Sequence, residues 1–293
     1  MNSFVIIIVV MFLWAICFPL IVLGLPYAPH LTFAALRGFI AGIALLLFAM
    51  ILRRPRPRGL GTWLALGGVG LGATTMGFFG MFHASEFVAP GIATVIANSQ
   101  PLLAAVLAIA ILGERLGIIA KAGLLLGFLG IVLIALPAIG ADGTSKTELG
   151  YFYLILSAIG ITISNVLISK IASRVDAISA MGWQLLIGSI FLLALALATE
   201  DVLAISWEPL FVTSLIGLAL PGTALAYWLW CMVLTRVELS RANVFSFLVP
   251  LFGLAMGAAF FRESITGQSI LGIALTLLGI FLVNRPRHIS RNE

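Results

Sequence analysis

Apolar residues come in ten blocks along this chain, at about 4–23, 31–52, 60–83, 89–111, 116–137, 149–170, 178–199, 208–233, 240–261 and 266–284, with polar residues gathered in the short gaps between them. A helix that crosses a bilayer needs roughly 20 mostly apolar residues, and each block meets that length. The pattern predicts an all-α integral membrane protein of ten transmembrane helices. The longest gap, at about 138–148, is too short for an extramembrane domain. Whatever the chain does, it does inside the membrane.

Composition agrees. Of the 293 residues, 62% are hydrophobic and 9% are charged, and the mean hydropathy is +1.20. A soluble domain carries about 25% charged residues. The first block follows no Lys or Arg and precedes no A-x-A-like site, so it reads as a retained helix rather than a leader. With the N-terminus in the cytoplasm, thirteen Lys and Arg fall in inside gaps and three (Arg37, Lys146 and Arg262) fall outside. That bias predicts both termini in the cytoplasm. It also accounts for the net charge of +5 without a nucleic-acid partner. Cys17 and Cys231 both lie within apolar blocks, as reduced packing residues do.

The second half repeats the first. At a shift of 149, Pro101 falls on Pro250, Glu114 on Glu263, Gly123 on Gly272 and Gly130 on Gly279. Each half holds five blocks, an odd number, so the two copies cross the membrane in opposite directions. The expected division is a first five-helix repeat over 1–140, an inverted second repeat over 147–285 and a cytoplasmic tail over 286–293. Inverted repeats with a binding site near the midplane are a hallmark of secondary transporters.

Several motifs then point one way. The first block has Trp14-Ala15-Ile16-Cys17-Phe18, the second Arg37-Gly38-Phe39-Ile40-Ala41, and the fourth runs from Pro101 to Leu112-Gly113-Glu114-Arg115-Leu116, followed by Gly123, Gly127 and Gly130. The ninth and tenth carry Pro250, Glu263, Ile265-Thr266, Gln268, Gly272 and Gly279. In that order these elements resemble the drug/metabolite transporter superfamily and its ten-helix EamA-type exporters, with Ala15 where glycine is usual. The aromatic residues near the expected cavity are similar to those of the bacterial aromatic amino-acid exporters. The resemblance implies a multi-pass exporter of the bacterial cytoplasmic (inner) membrane. Its partners would be a small-molecule substrate, aromatic amino acids foremost, and membrane lipids. Nothing in the sequence sets the oligomeric state, and a monomer is compatible with it.

Polar and aromatic residues inside the blocks supply the candidate site, since such residues are costly in a bilayer and tend to face a cavity or a partner helix. Thr94, Asn98 and Pro101 share a face at i, i+4, i+7, and Asn243, Phe247 and Pro250 take the repeat-related positions. Proline removes a backbone hydrogen bond, so Pro101 and Pro250 are expected as hinges or gates. Asn98 and Asn243 either meet a substrate's head group or bond neighbouring helices. Met76, Phe79 and His83 make one aromatic face, Thr223, Tyr227 and Trp230 another, and Trp14 and Trp183 (beside Gln184) add rings. The expected substrate-binding set is Trp14, Phe79, His83, Asn98, Trp183, Tyr227 and Asn243, with simple helix packing as the alternative. Trp63 and Trp207 stand at block ends as interface anchors do. Gly38–Gly42, Gly68–Gly72, Gly123–Gly127 and Gly253–Gly257 permit close helix approach. Arg53, Arg54, Arg56 and Arg58 are expected at lipid head groups, and Glu114 and Glu263 as helix caps or tethers.

No Asp or Glu lies in the middle third of any block, so an acidic proton relay is missing. There is no G-x-x-x-x-G-K-[ST] loop and no H-E-x-x-H pair, and no catalytic, cofactor or metal site is expected. The function expected is export of small amphipathic metabolites by alternating access. The alternatives are a broader drug or amino-acid exporter, a channel, or a membrane-embedded enzyme.

Overall fold

The computed structural model describes residues 2–84, 87, 99–139, 147–261 and 266–285. The expected positions Thr94, Asn98, Arg262 and Glu263, the centre of the 138–148 connection and the tail 286–293 lie outside them. The described residues form ten helical units and no strand. They are α1 (Ser3–Gly24), α2 (His30–Ile51), α3 (Leu60–Ala84), α4 (Gln100–Leu112), α5 (Ile118–Ile139), α6 (Thr147–Ile171), α7 (Ala177–Thr199), α8 (Pro209–Leu234), α9 and α10 (Gly267–Asn284). α9 is built from Leu239–Asn243, a 3-10 turn Val244–Phe247 and Leu248–Phe261. Eight of the ten are long and apolar enough to cross a membrane.

Local chemistry explains where they start and stop. Side chains of Asn2, Asp176 and Thr266 accept from the backbone N–H groups of Phe4 (3.2 Å), Ser179 (3.0 Å) and Ser269 (3.2 Å), capping α1, α7 and α10. Pro209 opens α8 where no N–H is needed. Gly113, at φ 70°, ends α4 in the left-handed conformation that costs glycine least.

The outer face of the bundle is apolar. Phe4, Val22, Ile43, Leu64, Leu129, Phe152, Leu197 and Phe281 are all exposed. Soluble monomers do not present so continuous an apolar surface. A lipid-facing wall does.

The contacts repeat between halves. α2 packs on α7, its repeat mate, and α5 on α10. α1 lies against α8 and α9 as α6 lies against α3 and α4. Glycines set the spacing: a Cβ on Gly42 would stand 3.1 Å from the Gly182 carbonyl oxygen, and one on Gly272 2.7 Å from that of Gly130. Gly253 differs from the expectation. Among the described residues nothing lies within 4 Å of the position of its Cβ, so it makes no close helix contact with them.

Both halves also carry a π-helical stretch at matching positions, Gly70–Met76 in α3 and Leu220–Leu225 in α8. Each inserts an extra residue into its turn and leaves a carbonyl in need of a donor. Thr223 answers one of them, donating its hydroxyl to the Leu218 carbonyl at 2.8 Å.

Arg37 corrects the charge tally. It is 4% exposed within α2, not a loop cation. Removing it leaves thirteen basic residues against two, and the bias is sharper than first counted.

Candidate functional site

A cavity of about 120 Å³ lies inside the bundle, and both halves contribute walls. α1 gives Trp14 and Cys17, α2 gives Arg37, α3 gives Phe78 and Met81, and α4 gives Gln100. From the second half come Leu154, Ser157, Ala158 and Ile161 of α6, Tyr227 of α8, and Ser246 and Val249 of α9.

The rings are braced from behind. Trp14 sits edge-on to Tyr227 (centroids 6.3 Å apart) and tilted against Trp230 (5.5 Å). Trp230 is fully buried and donates its indole N–H to the Asn165 side-chain oxygen at 2.9 Å. It therefore supports the lining rings from behind and does not itself line the cavity. Such aromatic pairs contribute about 0.5–1.5 kcal/mol beyond the area they bury.

Arg37 is held by neutral groups. Its Nε donates to the Thr223 hydroxyl at 2.7 Å, Nη2 points to Cys17 Sγ at 3.5 Å, and its carbon lies 4.4 Å above the Phe78 ring. Thr223 is set in place by the π-helical turn of α8, so an irregularity of the backbone positions the one cation that lines the cavity among the described residues. Cys17 in turn donates to the Leu13 carbonyl at 3.3 Å.

Of the expected site residues, Trp14 and Tyr227 come together at this cavity. Phe79 and His83 do not line it. They stack on each other (4.6 Å) and meet Tyr153 (5.5 and 5.1 Å), with His30 against His83 at 4.5 Å. That cluster is at the end of the bundle where Glu200 holds the first turn of α2. Trp183 lines a separate, open groove of about 510 Å³ at the opposite end, with Arg53, Arg54 and Arg56. Its ring packs edge-on to Trp63 at 5.2 Å, so the two tryptophans that sequence assigned to different environments share one. Trp207, 62% exposed, stands at the surface as an anchor would. Asn243 is buried near the start of α9 and is not among the residues that line the cavity, and its Nδ2 has no partner among the described residues. Gln184 accepts from the Thr74 hydroxyl at 3.1 Å, tying α7 to the π turn of α3.

Pro101 is in the first turn of α4 and Pro250 in the first turn after the 3-10 segment of α9. Pro250 offers no N–H to Ser246, four residues back, and Ser246 is among the residues that line the cavity.

Sequence reasoning missed Arg37, Phe78, Gln100 and Ser246. The signal for Arg37 was present: a lone cation within a block that contains no acid.

The EamA-like transporter family matches the chain twice, over residues 1–136 and 148–285. A chloroplastic WAT1-related protein of Arabidopsis thaliana is 31% identical over 89% of this chain, which spans 64% of that relative's length. A protein of Escherichia coli described as a probable amino-acid metabolite efflux pump is 29% identical, over 93% of this chain and 91% of its own. One solved crystal structure superposes with a TM-score of 0.81 at 19% identity, covering 96% of both chains, and shows the same fold. The protein is thus a multi-pass integral membrane transporter, not an enzyme. The two matched segments repeat one architecture, and the chain belongs to the EamA-like transporter family.

Proposed function

We propose that this chain exports small amphipathic metabolites, aromatic amino acids foremost, by exposing the central cavity to each side of the membrane in turn. The observation that carries this reading is the make-up of the cavity: the rings of Trp14, Phe78 and Tyr227 beside the polar groups of Arg37, Gln100 and Ser246. Such walls suit a molecule with an aromatic body and a polar head. The efflux role ascribed to the Escherichia coli relative points the same way. The repeats 1–140 and 147–285 are the moving bodies, with Pro101 and Pro250 at their hinges.

Purified protein in liposomes tests this against a panel of aromatic and aliphatic amino acids and cationic drugs. Trp14→Ala and Tyr227→Ala are expected to raise the half-saturation concentration for aromatic substrates about tenfold, the factor that ~1.4 kcal/mol of lost ring contact represents. Aliphatic substrates lose little, and the exposed Trp207→Ala behaves as wild type. Equal effects on both substrate classes would remove the aromatic reading. Uptake of cationic drugs alone would favour a broader drug exporter.

The orientation follows from charge. Arg53, Arg54, Arg56, Lys121, Lys170 and Arg236 collect at one end of the bundle, which is assigned to the cytoplasm together with both termini. Single cysteines placed at 141–145 are then expected to react with impermeant reagents from outside intact cells. Labelling only after the membrane is opened would reverse the assignment.

A further inference from the structure

We infer that Arg37 is the anion anchor of the central cavity, so that the molecules transported are carboxylates and not the corresponding amines. This deepens the transport reading of the cavity and rests on it.

The guanidinium has no acidic partner among the described residues, and none of the eleven acidic residues falls in the middle of a span. Its neighbours, a threonine hydroxyl, a cysteine thiol and a phenylalanine ring, are all neutral. Charged side chains inside a membrane protein are found paired or turned to a water-filled path, because an uncompensated charge there is unfavourable. Arginine also presents five N–H donors in a planar fork and cannot relieve the burial by losing its proton. Thr223 and Cys17 engage only Nε and Nη2, which leaves Nη1 with no partner among the described residues.

A second, independent observation comes from the other half of the chain. Ser246, 7% exposed, lines the same cavity, and its Oγ has no hydrogen-bond partner among the described residues. A fork with spare donors and a buried hydroxyl with no partner among the described residues, both belonging to residues that line one small cavity, make the donor set for a carboxylate, whose two oxygens accept from both once the hydroxyl turns to it. With the carboxylate on Arg37, the rings of Trp14 and Tyr227 are left for the body of the substrate. Because Arg37 belongs to the first half and Ser246 to the second, one carboxylate bridges both halves of the transporter.

The test compares L-phenylalanine, 3-phenylpropionate (no ammonium) and phenethylamine (no carboxylate) on the full-length protein in liposomes. Wild type is expected to take up the two carboxylates and not the amine. Arg37→Gln lowers carboxylate uptake about a hundredfold, and Arg37→Lys, which keeps the charge but not the fork, lies between. Should these variants fail to fold, wild type itself provides the readout, since Cys17 Sγ is 3.5 Å from Nη2. Phenylalanine or 3-phenylpropionate should slow its modification by methyl methanethiosulfonate, read by peptide mass, and phenethylamine should not. Phenethylamine carried as well as phenylalanine overturns the anchor and leaves the aromatic exporter standing. Carriage of leucine and other aliphatic carboxylates alone, lost in Arg37→Gln, keeps the anchor and removes the aromatic reading. Full protection of Cys17 by chloride, with carboxylate uptake unchanged in Arg37→Gln, assigns Arg37 to a resident inorganic anion and overturns the proposal.

Discussion

Valine at position 279 is expected to abolish the folded protein. A Cβ there would stand 2.6 Å from the Gly123 carbonyl oxygen, 2.6 Å from the Gly127 nitrogen and 2.7 Å from the Gly127 Cα. All three are backbone atoms, which cannot swing aside as a side chain can. Relief requires α10 to move off α5 along its length. The pair is also close at Gly123, whose Cβ would meet the Gly279 oxygen at 2.8 Å, and Gly272 faces Gly130 two turns along. In a bilayer, where lipid tails are as apolar as leucine, helices hold together by such close packing and not by exclusion of water. Overpacking alone costs about 1–3 kcal/mol, and losing the rest of the interface adds to it. The expected result of Gly279→Val is loss of monodisperse protein in detergent. The matched control is Gly253→Val, where nothing stands within 4 Å among the described residues and the melting temperature should stay near wild type. Equal behaviour of the two variants would mean that α5 and α10 do not approach as described.

The second large effect concerns two carboxylates that tie the halves at opposite ends of the bundle. Glu200, just past α7, accepts from the backbone N–H groups of Leu31 and Thr32 and from the Thr32 hydroxyl, each at 2.9 Å, with His30 Nε2 at 3.5 Å. Glu114, just past α4, accepts from the N–H groups of Leu239 (2.8 Å) and Ser240 (3.1 Å) and from the Ser240 hydroxyl. Each therefore caps a helix of the other half, where the unpaired N–H groups and the helix dipole both favour negative charge. Glutamine keeps one acceptor oxygen and loses the other along with the charge. Hydrogen bonds to a charged group contribute about 1.5–3 kcal/mol each, so Glu114→Gln and Glu200→Gln should each lower the thermal midpoint clearly. They should also act oppositely on access. Freeing Ser240 favours opening at the end assigned to the cytoplasm, and freeing Thr32 favours opening at the far end. Sidedness of cysteine labelling within the cavity would read this directly, and shifts in the same direction would show the two caps to be plain stabilisers.

The architecture was legible in the sequence because a bilayer imposes it. The starts and ends of α1, α2, α7 and α10 fall within a few residues of the apolar blocks, and the capping role expected of Glu114 is what its carboxylate does. The site was legible only in part, for identifiable reasons. The 3.6-residue period groups Met76, Phe79 and His83 on one face, but in a helix that is apolar all round it does not tell which face meets the cavity. The cavity took Phe78 and Met81 instead, and the other face went to Tyr153. Trp183 lies in the interior of its block, yet α7 carries it to the groove with Arg54. Depth along a span is not visible in hydrophobicity. Arg37 was overlooked because intramembrane charge was sought as carboxylates, and its guanidinium was counted with the loops. The π-helical turns have no simple sequence signature, although Gly70, Gly72 and Gly222 stand in them.

Those turns bear on how the chain tolerates insertions and deletions. Membrane helices are ordinarily intolerant of a one-residue length change, because every residue beyond it turns by about 100°. At Gly70–Met76 and Leu220–Leu225 the extra residue is already present. Deleting one residue there would restore ordinary helical bonding and leave Phe78 and Tyr227 facing nearly as they do, because each bulge absorbs its extra residue within one turn. Length variants at these two places would then fold and insert with the helix beyond the bulge still in register. In this architecture the two bulges are where a single-codon deletion inside a span can be absorbed.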